Sequence, residues 1–293
     1  MNRFPLIVIT ICMLVFSVSC GPSSSEEAAS DSAAAYIENK GSDTIVNLAL
    51  AWAERYQAEH SEVRISVTGG GSGTGIASLI NGTVDIANAS RQIKAEEVAD
   101  AQANGIEPVE HIIARDAIAV IVNPENPVKQ LTLKQISDIY SGKISNWSEV
   151  GGDDRPIVRL SRETNSGTHV YFLETVLRLG NSEDKTLFSM DTLLLPSSEG
   201  IIAEVRQNPN AIGYDGLGYV PKDLKMISIA EEEGGAYVLP SIPTVNDKTY
   251  PIARDLYMYT DGQPTGIIKE YLDWILSPEA QEIVAELGFV PAK

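Results

Sequence analysis

The chain has 293 residues, 43% hydrophobic and 21% charged, the composition of an ordinary water-soluble globular protein with one large or two small domains. Its formal net charge of −18 argues against nucleic acid as a partner, because that binding depends on neutralising phosphates with Lys and Arg. The three histidines, His60, His111 and His169, show no metal-ligand spacing, so no metal or other cofactor is expected.

The N-terminus "MNRFPLIVITICMLVFSVSC" carries Arg3, then an apolar run, then small residues before Cys20. That order predicts a secretory signal peptide over residues 1–19. The Ser19–Cys20 step resembles a bacterial lipoprotein cleavage site, at which Cys20 would carry lipid, although Ser17 stands where that pattern prefers Leu. Cys12 falls inside the signal, so the mature chain has no internal disulfide and relies on core packing. Removing Arg3 with the signal, which holds no acid, lowers the charge by one to −19. Residues 20–35, ending "GPSSSEEAASDSAAA", are small and polar and read as a flexible tether. Lipid, tether, then domain is the layout of a protein anchored at a membrane and working in water outside the cytoplasm.

The folded part is predicted to begin near Tyr36. "AAYIENK" reads as a strand, followed by "GSDT" (41–44) and a helix in which Ile45, Leu48, Trp52 and Tyr56 recur at helical spacing. "EVRISVT" reads as the next strand, then "GGGSGTG" (69–75), then the helix "GIASLING". Five glycines in that loop imply either unusual dihedrals or close approach of the backbone to something. The glycine patterns for dinucleotides, nucleoside triphosphates and a hydrolase nucleophile all fail to match. A turn and a strand over Val84–Ala89 follow, ending at Ser90 and Arg91. Further on, "RPIVRLSR" reads as a strand ending at Arg162, "NSGT" (165–168) follows, and "HVYFLETVLRLG" reads as a helix.

Three helices are thus predicted to begin with a Ser that can cap and a Thr two residues later. Each start offers unpaired N–H groups, hydroxyls and the positive end of the helix dipole. Converging, they would form a cage for a small oxyanion from Ser42, Thr44, Ser72, Gly73, Thr74, Ser166, Gly167 and Thr168. Ligands of open α/β sheets sit beyond strand carboxyl ends, which makes Ser90 and Arg91 neighbours of the glycine loop. Arg162, four residues before Ser166, suits bidentate oxyanion recognition; the alternative is a surface pair with Glu163.

These segments, with "DAIAVIVNPENPV", "LTLKQISDIYSGKISNWSEVGG", "SRETNSGT", "AIGYDGLGYV" and "SPEAQEIVAELGFVP", run in one order through nearly all of the mature chain. In that order they resemble the substrate-binding protein of the bacterial phosphate ABC importer, of the type II periplasmic-binding-protein family. The resemblance implies an α/β fold of two lobes with a ligand cleft between them, lobe one from residues 36–115 plus 250–293 and lobe two from 116–249. It implies binding of inorganic phosphate by a monomer and delivery to ABC permease subunits. It places ligand contacts on Ser42, Asp43, Thr44, Ser72, Arg162, Ser166, Gly167 and Thr168. Many members also carry an Asp at the strand end that here reads Ser90-Arg91, and use it to accept phosphate's proton. Asp43, or else Asp116 at the presumed hinge, is the expected substitute. Two other readings remain open at this point. One is a binding protein for another tetrahedral oxyanion, or a sensor or adhesin without a transport partner. The other is a hydrolase using Ser166 and His169, three residues apart, although a Ser and a His one turn on are commonly just packed together.

Overall fold

The computed structural model describes residues 34–292, so Cys20, the signal peptide over 1–19 and most of the tether lie outside the described residues. The chain begins with three strand–helix units: β1 (Ala35–Gly41), α1 (Asp43–Glu59), β2 (Val63–Thr68), α2 (Ser72–Ile80), β3 (Ile86–Ala89) and α3 (Ala95–Ala103). The strand β4 (Pro108–Val122) then leads to β5 (Gln130–Thr132), α4 (Leu133–Tyr140), β6 (Val158–Arg162), α5 (Gly167–Phe172) and β7 (Leu193–Leu195). α6 (Ser198–Gln207), β8 (Ala211–Gly216), β9 (Lys225–Met226), β10 (Ser228–Ala230) and α7 (Ile242–Asn246) follow. The chain closes with β11 (Ala253–Asp261), α8 (Gly266–Ile275), α9 (Pro278–Glu286) and β12 (Val290–Pro291).

The main sheet runs β2-β1-β3-β11-β4-β8-β6-β7, with β9 and β12 pairing to β4. β1 lies parallel to both β2 and β3, and β6 lies parallel to both β7 and β8. Between these parallel groups stand β4 and β11, antiparallel to each other. The first part of β4 pairs with β11 and its last part, Ile118–Val122, with β8, so one strand serves both halves of the sheet.

The apolar pattern divides at the same place. Ile113 and Ala114 of β4 and Leu256 and Met258 of β11 pack with the buried stripe Ile45, Leu48, Trp52 and Tyr56 of α1. Ala117, Ile118 and Val120 of β4, with Ile252, pack instead with Tyr140, Phe172 and Tyr214. Phe172 and Tyr214 stack with ring centroids 3.6 Å apart. Two cores on one pair of strands are the two lobes of the fold. The "SGKISNW" segment belongs to the second core's scaffold: Trp147 is buried and its indole N–H donates to the Asn210 carbonyl at 2.9 Å.

Local boundaries differ from expectation in three places. α2 begins at Ser72 itself, with Gly71 in the capping position, so the Ser72 hydroxyl is not a cap. β3 starts at Ile86 and not Val84, because the Asp85 carboxylate is turned to accept the Glu38 N–H at 2.8 Å. The helix after Ser166 passes at Leu173 into a π turn over Leu173–Leu177.

Candidate functional site

The carboxyl ends of β1, β3 and β6 deliver Ser42, Ser90 and Arg162 to one buried region. The glycine loop answers both demands raised by its sequence. Gly71 has φ 90°, donates its N–H to the Gly41 carbonyl at 2.9 Å, and would bring a β-carbon within 2.7 Å of the Asn165 carbonyl oxygen. A β-carbon on Gly75 would lie 2.5 Å from the Lys40 carbonyl oxygen, so only glycine lets α2 seat on the end of β1. That seating aims Ser72 at the strand ends, where its hydroxyl accepts the Ser90 N–H at 3.0 Å and lies 3.2 Å from the Ser90 hydroxyl.

The opposite lobe meets these groups directly. A β-carbon on Gly167 would collide with both the Ser72 and Ser90 hydroxyls. Thr44, at the start of α1, and Thr168, in the first turn of α5, are buried with hydroxyl oxygens 2.8 Å apart. Asn165 joins the lobes at the rim, donating to the Gly70 carbonyl at 2.8 Å and accepting the Gly73 N–H at 3.0 Å.

Two buried arginines supply the charge. Arg162 donates to the Asp43 carboxylate at 2.7 Å, the Pro196 carbonyl at 2.8 Å and the Ser198 hydroxyl at 3.0 Å. Its partner is therefore Asp43, not Glu163. Ser198 in turn donates to Asp215 at 3.0 Å. Asp43 also accepts the Gly70 N–H at 2.8 Å, tying the first helix start to the glycine loop.

Arg254 of β11 stands directly opposite Asp116 of β4 in the antiparallel register and pairs with it at 3.0 Å. It also donates to the Ser90 carbonyl at 2.8 Å and to the Thr168 and Thr44 hydroxyl oxygens at 2.9 and 3.4 Å. A guanidinium has no acceptor, so both threonine oxygens accept from it; one threonine proton is taken up in the 2.8 Å contact between them and the other remains for another acceptor. Among the described residues the Nε atoms of Arg162 and Arg254 have no hydrogen-bond partner.

The other expected residues sit at the margin. Thr74 turns its hydroxyl back to the Gly70 carbonyl at 2.6 Å. Arg91 is 8% exposed and holds Glu97 bidentately, at 2.8 and 2.6 Å. Burial raises the Glu97 pKa, but the hydrogen bonds and charges of Arg91 and Lys94 together outweigh it and leave the carboxyl below its ordinary value. Beyond Arg91 and Arg254 opens a cavity of about 450 Å³ that Lys94, Tyr171 and Asp255 also line.

Burial raises the pKa of Asp116, with Arg254 opposing, and pushes Asp215 up to about 6, with Arg162 opposing. Burial lowers the pKa of His169, which holds its ring neutral near pH 7. Its Nδ1 lies 3.0 Å from the Ser161 hydroxyl, and only its backbone N–H reaches the Ser166 hydroxyl. A Ser166–His169 nucleophile pair is not formed.

A buried set of hydroxyls and two arginines drawn from both lobes is chemistry for gripping a small anion. Residues 26–279 match the family model described as a PBP superfamily domain. The chain belongs to the PBP superfamily. Within it, the chain is 32% identical over 272 residues to the phosphate-binding protein PstS of Pseudomonas aeruginosa, covering 87% of this chain and 82% of the relative. It is also 32% identical to the phosphate-binding protein PstS of Bacillus subtilis, over 99% of this chain and 94% of the relative. A Clostridium perfringens structure, described as a phosphate ABC transporter substrate-binding protein with bound phosphate, aligns with a TM-score of 0.79 at 34% identity, covering 88% of this chain and all of that one. As a PBP superfamily member, the chain is a substrate-binding transport protein with a two-lobe fold.

Sequence reasoning passed over Arg254, Ser198, Asp215 and Asn165. A signal existed for two of them. Arg254 and Asp215 are charged residues inside strands otherwise made mostly of apolar residues, and such a residue is either paired or functional.

Proposed function

We propose that this protein captures inorganic phosphate outside the cytoplasm and delivers it to the permease of an ABC importer. The observation that carries the reading is the meeting of Thr44 and Thr168, one from each lobe, under Arg254. Both relatives cited above are named for phosphate binding, and the Clostridium perfringens structure is described with phosphate bound.

In this reading Ser42, Thr44, Ser72, Ser166 and Thr168, with the Gly167 N–H, donate to phosphate oxygens, and Arg162 and Arg254 balance its charge. Gly73, Thr74, Ser90 and Arg91 support the cage from behind. Asp43 at the rim accepts the ligand's proton, with Asp116 as the alternative, and so disfavours sulfate, which brings none. A buried acceptor left facing an acceptor is costly. Lobe one comprises residues 36–115 and 250–293, lobe two 116–249, and a lipid on Cys20 holds the protein at the membrane.

A ligand at 100 times its dissociation constant stabilises the native state by about 2.7 kcal/mol, which raises the melting temperature by several degrees. Exhaustively dialysed protein is expected to show that shift with phosphate, Arg162→Ala to lose it, and Asp43→Asn to let sulfate compete. No shift in a phosphate-free preparation of the wild type would sink the assignment. For the anchor, Cys20→Ser is expected to move the protein from the membrane to the soluble fraction; equal membrane retention refutes lipidation.

A further inference from the structure

Around the cage the charges do not balance. Arg162 and Arg254 face three carboxylates, Asp43, Asp116 and Asp215, of which Asp116 and Asp215 are fully buried. Arg91 adds no net charge, because Glu97 holds it bidentately. Closing this region over an anion adds one or two further negative charges to a set already negative. Uncompensated charge in a dry interior is costly, and the usual relief is that one group takes a proton.

The three carboxylates are not equally able to take it. Asp43 is held by Arg162 and the Gly70 N–H. Asp116 is held by Arg254 and the Leu217 N–H. Asp215 has no direct cation partner: its Oδ1 accepts from the Ser198 hydroxyl and the Gly216 N–H, and its Oδ2 has no partner among the described residues.

We propose that anion capture by this protein is proton-coupled, and that Asp215 is the positioning residue that holds the proton, linked to the anion through Ser198 and Arg162. The proton comes from solvent and adds to a carboxylate oxygen; no bond breaks. The inference rests on the anion-binding reading above.

The groups facing Asp215 support the direction. Arg162 from β6 lowers its pKa, and Asp116 from β4 raises it. Arg254 from β11 is occupied by Asp116. Burial raises the pKa of Tyr219, in the 3₁₀ turn Leu217–Tyr219, and Glu199, Asp215 and Asp43 raise it further, so it stays neutral. Tyr214, beside Asp215 in the chain, is likewise raised by burial and stays neutral. Burial already pushes Asp215 up to about 6, and an anion on Arg162 neutralises the one cation that holds it down. The bound-state pKa therefore lies higher still. Binding takes up protons, and affinity strengthens as pH falls through that window.

The test is calorimetric titration of inorganic phosphate into wild type and Asp215→Asn near pH 7, in buffers of different ionisation heat. Comparing the two proteins cancels the phosphate's own titration. Wild type is expected to take up more protons per phosphate than the variant, and the wild-type to variant affinity ratio to rise by up to about tenfold per pH unit as pH falls. Equal proton counts in two proteins that both bind phosphate would overturn the proposal. If the variant does not fold, the ¹³C-labelled Asp215 carboxyl of wild type decides instead. Its titration must move upward when phosphate is added, and an unmoved midpoint overturns the idea. A wild type that gives no phosphate isotherm fails at the functional reading itself.

Discussion

At the scale of single residues, the Asp116–Arg254 pair decides more than its two contacts indicate. It lies where the two cores part, with Ala114 packed in one and Ala117 in the other. Arg254→Ala removes the guanidinium donor to both threonine hydroxyls and leaves the Asp116 carboxylate at 0% exposure without its cation, held only by backbone N–H groups such as that of Leu217. Breaking a buried pair in that way costs about 3–5 kcal/mol. Urea denaturation is expected to show a loss of that size, and pairing the change with Asp116→Asn to recover part of it. A loss no larger for Arg254→Ala than for the double variant would mean that Asp116 is not left unpaired. The hydroxyls of the cage were legible in the sequence because a Ser or Thr at a helix start carries a local pattern. Arg254 and Asp215 stood out only as charges among apolar residues, and their roles were not legible because these depend on partners elsewhere in the chain, Asp116 for Arg254 and Ser198 for Asp215.

At the scale of elements, the glycine loop was read correctly as demanding, and the structure divides its demands. Gly71 has a left-handed dihedral and lies against Asn165 across the cleft. Gly75 is inside α2, where alanine would ordinarily gain about 1 kcal/mol of helix propensity. Here the added methyl would meet the Lys40 carbonyl oxygen at 2.5 Å and the Gly41 Cα at 2.6 Å, both backbone atoms that cannot swing aside. Gly75→Ala is therefore expected to destabilise, by roughly 1–3 kcal/mol for overpacking net of that gain. A urea midpoint at or above wild type would show that α2 does not seat as tightly as the geometry requires. Ser72 was assigned as a cap because Ser before a helix usually is one. The helix starts one residue earlier because Gly71 adopts a conformation that frees Ser72 to face Ser90.

At the scale of the whole molecule, the two cores share β4, which runs from one into the other, and β11, which starts at Ala253 against the second core and continues into the first. Neither core can lose these strands without exposing the apolar face of the other. Thermal unfolding of the described domain is expected as one transition, with far- and near-ultraviolet circular dichroism coincident. Two resolved steps would show that the cores melt separately. The expectation that lobe one is divided between both ends of the chain came with the family resemblance, since no local pattern records that residue 254 returns to residue 116. The contact at the rim has a different kind of consequence. Asn165 grips the glycine loop through Gly70 and Gly73, and neither bond uses a group proposed to donate to the anion. Such a clasp favours closure whatever the cage holds, and so raises the fraction of molecules competent to retain an anion. It also has to part before anything leaves. Residence time and the rate of hand-over to a transporter are then set against each other by one asparagine, and retention is gained at the expense of throughput.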